Sequence, residues 1–209
     1  MRVLVACEYS GRVRDAFRMM GHEAWSCDLR PADSAPEWHI QGDAVEAAYG
    51  QHWDLMIAHP YCTFNCLSGI RWMYHPEDTA LPAEQRRRHP AYPNRMVDFL
   101  EGVEFFKALR DAPIERIALE NSQPHGLAMK HLGRYDQILQ PWHVGSPVTK
   151  GAALWLKNLP TIRHTHARAD YEEIHAACHA MAPGPEREKE RSRTDTAIAA
   201  AFATQWGFL

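Results

Sequence analysis

The sequence predicts a doubly wound α/β sheet, and three observations lead there. Short apolar runs alternate with helix-patterned segments along most of the 209 residues. Most of those runs are too continuous to belong to a half-exposed sheet. Each ends at a polar group: Glu8, Asp28, Asp43, Cys62 and the pair Glu120-Asn121. Sheets of this class bind ligands at the carboxyl ends of their strands, so these groups are expected along one edge.

Taken in order, RVLVAC reads as the first strand, EYSG as a turn, and VRDAFRMMG as a helix. That helix carries Val13, Ala16, Phe17 and Met20 on one side before a glycine stop. HEAWSCDL is a second strand ending at Asp28, WHIQGDAV a short strand with Gly42-Asp43, and WDLMIAHP a run that delivers Cys62. Residues 63–93 are irregular and proline-rich, with RRRH at 86–89. MVDFLEGVEFFKALRDA predicts an amphipathic helix with Val97, Leu100, Val103, Phe106 and Leu109 inward. RIALEN, QPWHVG and ALWLKNLP are expected as later strands, and AIAAAFATQWGFL as a closing helix. The polar stretch 161–190 interrupts the pattern, and there is no internal repeat. One domain over 1–209 is expected.

Composition narrows the function classes. An apolar fraction of 45% suits a globular core, and no run approaches the ~18 apolar residues of a membrane span. MRVLVACEYSG reads as a strand rather than a signal peptide. Five cysteines, an odd number in a chain too large to need staples, point to reduced thiols and a cytoplasmic setting. A net charge of -3 excludes a uniformly basic surface but not a local basic face.

The first turn has only Ser10-Gly11, which matches neither a dinucleotide fingerprint nor a phosphate-binding loop. Asp28 at a strand end is the type of group that takes ribose hydroxyls. A helix cap or solvated loop acid is the plain alternative there, and Asp43 alone is a weaker signal still. Together, Gly11, Asp28 and Asp43 suggest an adenosine-type cofactor without a phosphate loop. S-adenosyl-L-methionine fits that description chemically.

Cys62 has several readings: an inert buried thiol, a nucleophile, or a zinc ligand with Cys66. Zinc would need two more ligands from His164, His166, His175, Cys178 and His179, and no paired two-residue spacing supports them. A strand-terminal Glu120 across the sheet would supply a nucleophile with a general acid. The loop 71–95 interleaves Arg71, Arg86, Arg87, Arg88 and Arg95 with Trp72, Tyr74 and Tyr92, against Glu77, Asp78 and Glu84. That composition suits phosphate and base contact, or simply a solvated loop.

In these residues the chain resembles the DNA cytosine-5 methyltransferases, most closely their compact phage-type members. Pro60-Tyr61-Cys62, followed by Phe64, Ser68 and Gly69, is similar to the family's Pro-Cys motif, with Tyr61 in place of a second proline. Glu120-Asn121-Ser122 matches its Glu-Asn-Val motif in two positions of three. EYSG aligns with its first turn, Glu8 standing where the family has glycine, and SRTDTAIAAAF with its final helix. The resemblance implies a Rossmann-like, mostly parallel methyltransferase sheet. It further implies Cys62, Glu120 and Asn121 as catalytic residues. Glu8, Ser10, Gly11, Asp28, Asp43 and Pro60 would line S-adenosyl-L-methionine. Ser68, Arg71, Arg95 and Lys150 would face the substrate. The family's base-contacting arginine pair has no counterpart near 149–153, where Lys150 is the nearest cation.

The implied reaction is thiolate addition of Cys62 to cytosine carbon 6, with Glu120 at ring nitrogen 3 and the exocyclic amine. Residues 161–190 stand where larger relatives have a separate recognition module, so the site is expected to be short or loosely read. The expected substrate is DNA, duplex or single-stranded, with no membrane and no obligate protein partner. Two alternatives remain open: the same chemistry on a free pyrimidine nucleotide, and a non-catalytic relative that binds S-adenosyl-L-methionine or DNA.

Overall fold

A computed structural model describes residues 1–176 and 184–209. Among these residues, seven strands form one sheet in the order β3-β2-β1-β4-β5-β7-β6. They are β1 (Arg2–Ala6), β2 (Glu23–Asp28), β3 (His39–Gln41), β4 (Leu55–Ala58), β5 (Arg116–Ser122), β6 (Gln137–Leu139) and β7 (Ala152–Lys157). The first five are parallel, and β7 runs antiparallel to both of its neighbours. The expected Rossmann-like, doubly wound and mostly parallel sheet is the observed one. Strand order reverses between β1 and β4, which places the switch-point crevice beside Glu8 and Cys62.

The period-2 alternation of each strand splits the core in two. Leu4, Ala6, Met56, Ala58, Ile117, Leu119 and Trp155 face α2 (Ala44–Gly50), α3 (Arg95–Arg110) and α4 (Gly126–Leu132). Val3, Val5, Leu55, Ile57, Ala118 and Leu154 face α1 (Arg12–Met19) and the closing helix, α6 (Thr196–Trp206). Phe17 meets Phe202 and Trp206 in that second layer, all fully buried. Truncating any one of these aromatics to alanine would cost about 3–5 kcal/mol. Of α5 (Pro185–Ser192), no described side chain joins either apolar cluster. The helix is held at its carboxyl end by polar contacts to the first turn.

Four sequence expectations change. α3 buries Phe99, Gly102, Val103, Phe106 and Leu109, while Val97 (50% exposed) and Leu100 (44%) face out. Two stripes at helical spacing compete there, and the one through Gly102 wins because Tyr61 packs over that glycine. On α1, Met20 lies past the helix end and is partly exposed. QPWHVG is a 3-10 turn over Pro141–Val144, because Pro141 offers no N–H to a ladder. The preceding strand is QIL, β6. Finally, the strand read through Gly42-Asp43 stops at Gln41, and Asp43 instead caps α2.

Candidate active site

Pro60 cannot extend the ladder, so the chain leaves β4 at His59, whose N–H donates to Ala6 O at 2.9 Å. Tyr61 stacks on Phe105 (5.4 Å, 16°) and packs over Gly102, which fixes the exit direction. The loop then coils on itself. Asn65 N and Cys66 N donate to Cys62 O at 3.1 Å, and Gly69 N donates to Cys66 O at 2.9 Å. A Cβ on Gly69 would lie 2.6 Å from Thr63 O, so only glycine closes this coil.

Five bonds from elsewhere pin that coil. Asn121 Nδ2 donates to Pro60 O (3.0 Å), Arg95 Nη2 to Thr63 O (2.7 Å), and His125 Nε2 to Phe64 O (2.9 Å). His125 N donates to Asn65 O and Leu67 N to Gln123 O, both at 3.0 Å. His125 Nδ1 accepts from Ala128 N at 3.0 Å, so its single proton sits on Nε2. Burial lowers the His125 pKa and keeps that neutral form.

Across the β4–β5 register, His59 Nδ1 meets Glu120 Oε2 at 2.8 Å. Burial alone would discharge both groups. Their mutual bond and charge overcome it: His59 is raised above its ordinary value, with help from Glu8, and Glu120 is lowered, with help from Lys150. His59 Nε2 and Asn121 Oδ1 are shielded from water and have no hydrogen-bond partner among the described residues.

Cys62 and Cys66 share a sulfur hydrogen bond and titrate as a pair. The Cys62 bond lowers Cys66, and the Ser68 hydroxyl (3.1 Å) and the Ser68 and Gly69 amides support its thiolate. The same bond and burial raise Cys62.

On the other half of the edge, Glu8 is buried and its carboxylate accepts from Val13 N (2.8 Å), Arg14 N (3.2 Å) and Ser10 Oγ (3.1 Å). The chain's own carboxylate therefore occupies the anion seat at the amino end of α1. Gly11 adopts φ +73°, and a Cβ there would strike the buried Arg14 guanidinium. Asp28 Oδ1 accepts from Arg30 N (2.9 Å), and Asp43 Oδ1 from Val45 N (2.7 Å) and Glu46 N (3.0 Å). Gly42 N donates to Asp28 O at 3.0 Å, tying the two acids together. Burial first, then Asp28 and Asp43, push the Cys27 thiol up to about 12, and the same influences raise Cys7. A nucleoside's hydroxyls and base fit this half. An amino-acid carboxylate finds no vacant amides at α1, because Glu8 holds them.

Of the positions expected to face a substrate, Arg95 is a brace for the loop. Lys150 Nζ donates to Glu190 O (3.4 Å) and Arg193 O at the end of α5. Ser68 is bonded to Cys66. Arg87 is locked to Asp78 and Glu77, holding the Asp78 carboxyl down at about 2, and Arg86 donates to Leu81 O and Thr79 O. Trp72 packs edge-on against His89 and Tyr92, with Arg71 over its ring at 4.8 Å. Arg71 and Arg88 are exposed and lack an ion pair among the described residues. No three His, Cys, Asp or Glu side chains gather as a metal site among the described residues; Cys178 and His179 lie outside them.

Two residues of the candidate site escaped the sequence reading. His59 had one signal, a histidine wedged between a buried strand and a proline. His125 had another, a residue with acceptor capacity in front of a short helix.

No protein-family model matches the sequence, and no curated protein matches it. Among solved structures, the chain is similar to a protein assigned as a DNA modification methyltransferase encoded within an E. coli prophage. Identity is 12% and the TM-score 0.44, over 75% of this chain and 46% of that one. It is also similar to a triple-substitution variant of Spodoptera frugiperda DNMT2, with 13% identity and a TM-score of 0.41 over 88% of this chain and 60% of that one. The chain thus spans about half the length of these neighbours. Likenesses this distant carry no argument about the site, whose reading rests on its own geometry.

Proposed function

We propose that this chain methylates carbon 5 of cytosine in DNA, with S-adenosyl-L-methionine as donor and Cys62 as covalent nucleophile. The observation that carries the reading is the junction of β4 and β5. Asn121 ties the Pro60 carbonyl to β5, which keeps the loop carrying the thiol at 62 beside the strand carrying the carboxylate at 120. A thiol pair with a stabilised thiolate beside a buried, proton-bearing acid pair suits addition to an electron-poor ring and capture of the charge that forms.

S-adenosyl-L-methionine, when bound, supplies an activated methyl group. Asp28 and the Gly42-Asp43 turn suit its nucleoside end, and Glu8 keeps its carboxylate away from the α1 amides. Cys62 bonds to ring carbon 6, with its proton passed through Cys66. Glu120 holds ring nitrogen 3 and the exocyclic amine. Asn121, Arg95 and His125 keep the loop in the one conformation where Cys62 and Glu120 act on the same ring.

The test is nucleoside mass spectrometry on DNA from cells expressing the chain or its Cys62→Ala variant. A cysteine-dependent rise in 5-methylcytosine supports the reading, and its absence in both samples removes it. A second reading, the same chemistry on a free pyrimidine nucleotide, has one observation in its favour. Between β7 and α5 the described residues form only a 3-10 turn at Arg168–Asp170, and α5 docks on the chain's own first turn. Among its described residues no longer helix or strand is available to read a duplex. Salt-sensitive DNA binding would favour the first reading over the second.

A further inference from the structure

We infer that His59 is a positioning residue that stores the proton Glu120 delivers, so that the two side chains act as one acid. This deepens the cytosine-methylation reading and rests on it. His59 is fixed at both ends: its backbone N–H bonds β1, and its ring bonds β5 at 2.8 Å. The two side chains are 10% and 22% exposed, so water competes weakly for their proton. Charged groups face the ring from every neighbouring element. Glu120 comes from β5, Glu8 from the end of β1, and Lys150 from the segment before β7. Two carboxylates against one ammonium favour the imidazolium, and Lys150 is partly spent on the α5 carbonyls.

Burial alone would leave the Glu120 carboxyl protonated, but His59 and Lys150 hold it ionised, so the proton it delivers has to come from its neighbour. With His59 beside it, the pair holds one. In the addition step the Cys62 sulfur bonds to ring carbon 6. The C5=C6 pair shifts to C4=C5, the C4=N3 pair moves to nitrogen 3, and the stored proton passes through the Glu120 carboxyl to nitrogen 3. His59 is left neutral. Once carbon 5 carries the methyl group, solvent water takes the carbon-5 proton, that bond's pair re-forms C5=C6 as the C6–S bond breaks to release the thiolate, and nitrogen 3 returns its proton to the pair. Nothing is oxidised or reduced.

The sign of the pH effect follows. His59 is raised, so the pair keeps its proton below that raised value and loses it as pH climbs through it. Methyl transfer should therefore fall at high pH by a group belonging to His59.

The experiment has two arms. In the first, NMR of isotope-labelled histidines follows the His59 ring through a pH titration in the wild type and in Glu120→Gln. The expected result is a titration above 6.5, the ordinary histidine value, that drops when the carboxylate is removed. A His59 that titrates at or below 6.5, or that ignores Glu120→Gln, overturns the inference. In the second, kcat and KM for a cytosine-containing oligonucleotide are measured against pH for wild type, His59→Asn and His59→Gln. Two substitutions guard against one that fails to fold. Loss of about 10²-fold in kcat with little change in KM, and disappearance of the high-pH fall, is expected. Variants that keep both the wild-type kcat and its high-pH fall overturn the inference while leaving the function intact. A wild type that transfers no methyl group at any pH overturns the function and the role with it, while the titration still reports on the pair.

Discussion

The two halves of the sheet's carboxyl edge are built on opposite terms. On the β1–β3 side every acid is satisfied by backbone: Glu8 by α1, Asp28 by Arg30, and Asp43 by α2. On the β4–β5 side buried polar atoms go unpaired: His59 Nε2, Asn121 Oδ1, and both polar atoms of Asn65. Each such atom costs about 1–3 kcal/mol when nothing offsets it. Among the described residues of that edge the cost falls at this one junction, which on the proposed reading is where a ligand completes the bonding. The first half is set by its own backbone bonds, and the second leaves buried polar atoms open.

Substitutions can break that contrast, the largest effect first. Cys62→Ala should lower methyl transfer by about 10³-fold or more with stability little changed, as read by single-turnover rates and a thermal melt. Next comes Asn121→Ala, which frees the Pro60 carbonyl and lets the nucleophile loop drift from Glu120. A rate loss of about 10²-fold should accompany about 1–3 kcal/mol of lost stability in urea unfolding. Glu8→Ala should do the reverse of Cys62→Ala. It leaves the Val13 and Arg14 amides without their acceptor, so stability should fall by about 1–3 kcal/mol, but the thiol's reactivity toward an alkylating probe should stay unchanged.

A subtler contrast concerns pH. Glu120 is lowered, so its contribution is present above 4.5, the ordinary glutamate value, and lost as pH falls. The His59 contribution is complete below 6.5 and lost as pH rises through its raised value. The pair should therefore stabilise the fold most between those two limits. His59→Asn should flatten that maximum by a shift of about 2–4 °C in melting temperature. The smallest effect belongs to the outer loop. Arg88→Ala should reduce the salt slope of DNA binding by about one unit without touching the chemical step.

Much of this was legible in the sequence for a simple reason. Strands buried on both faces, such as RVLVA and LMIA, leave uninterrupted apolar runs, and the polar residue that ends each run marks the ligand edge. Short elements left weaker marks. AVEAAYG and GLAMKHL are single-face helices of seven residues, too short for a periodic stripe to stand out. The face of α3 was misjudged because Gly102 carries no hydrophobic signal, yet lies inward beneath Tyr61. Cys62, Glu120 and Asn121 were legible as strand-end residues. Their linkage through His59 was not, since it joins positions 61 residues apart and depends on the β4–β5 register. Lys150 and Arg95 were legible as cations only. What each one neutralises is a matter of which carbonyls the fold brings near.

The central claim is that Cys62 attacks cytosine carbon 6. It is tested most directly with an oligonucleotide carrying 5-fluorocytosine, whose carbon 5 has no proton to lose after methyl transfer, so expulsion of the thiolate stalls. Incubation with the wild-type chain and S-adenosyl-L-methionine, followed by protease digestion and mass spectrometry, reads the modified residue. The account predicts a covalent methylated fluorocytosine adduct on the peptide containing Cys62, absent in Cys62→Ala. An adduct on a different residue, or 5-methylcytosine formation on ordinary substrate that survives Cys62→Ala, would contradict it.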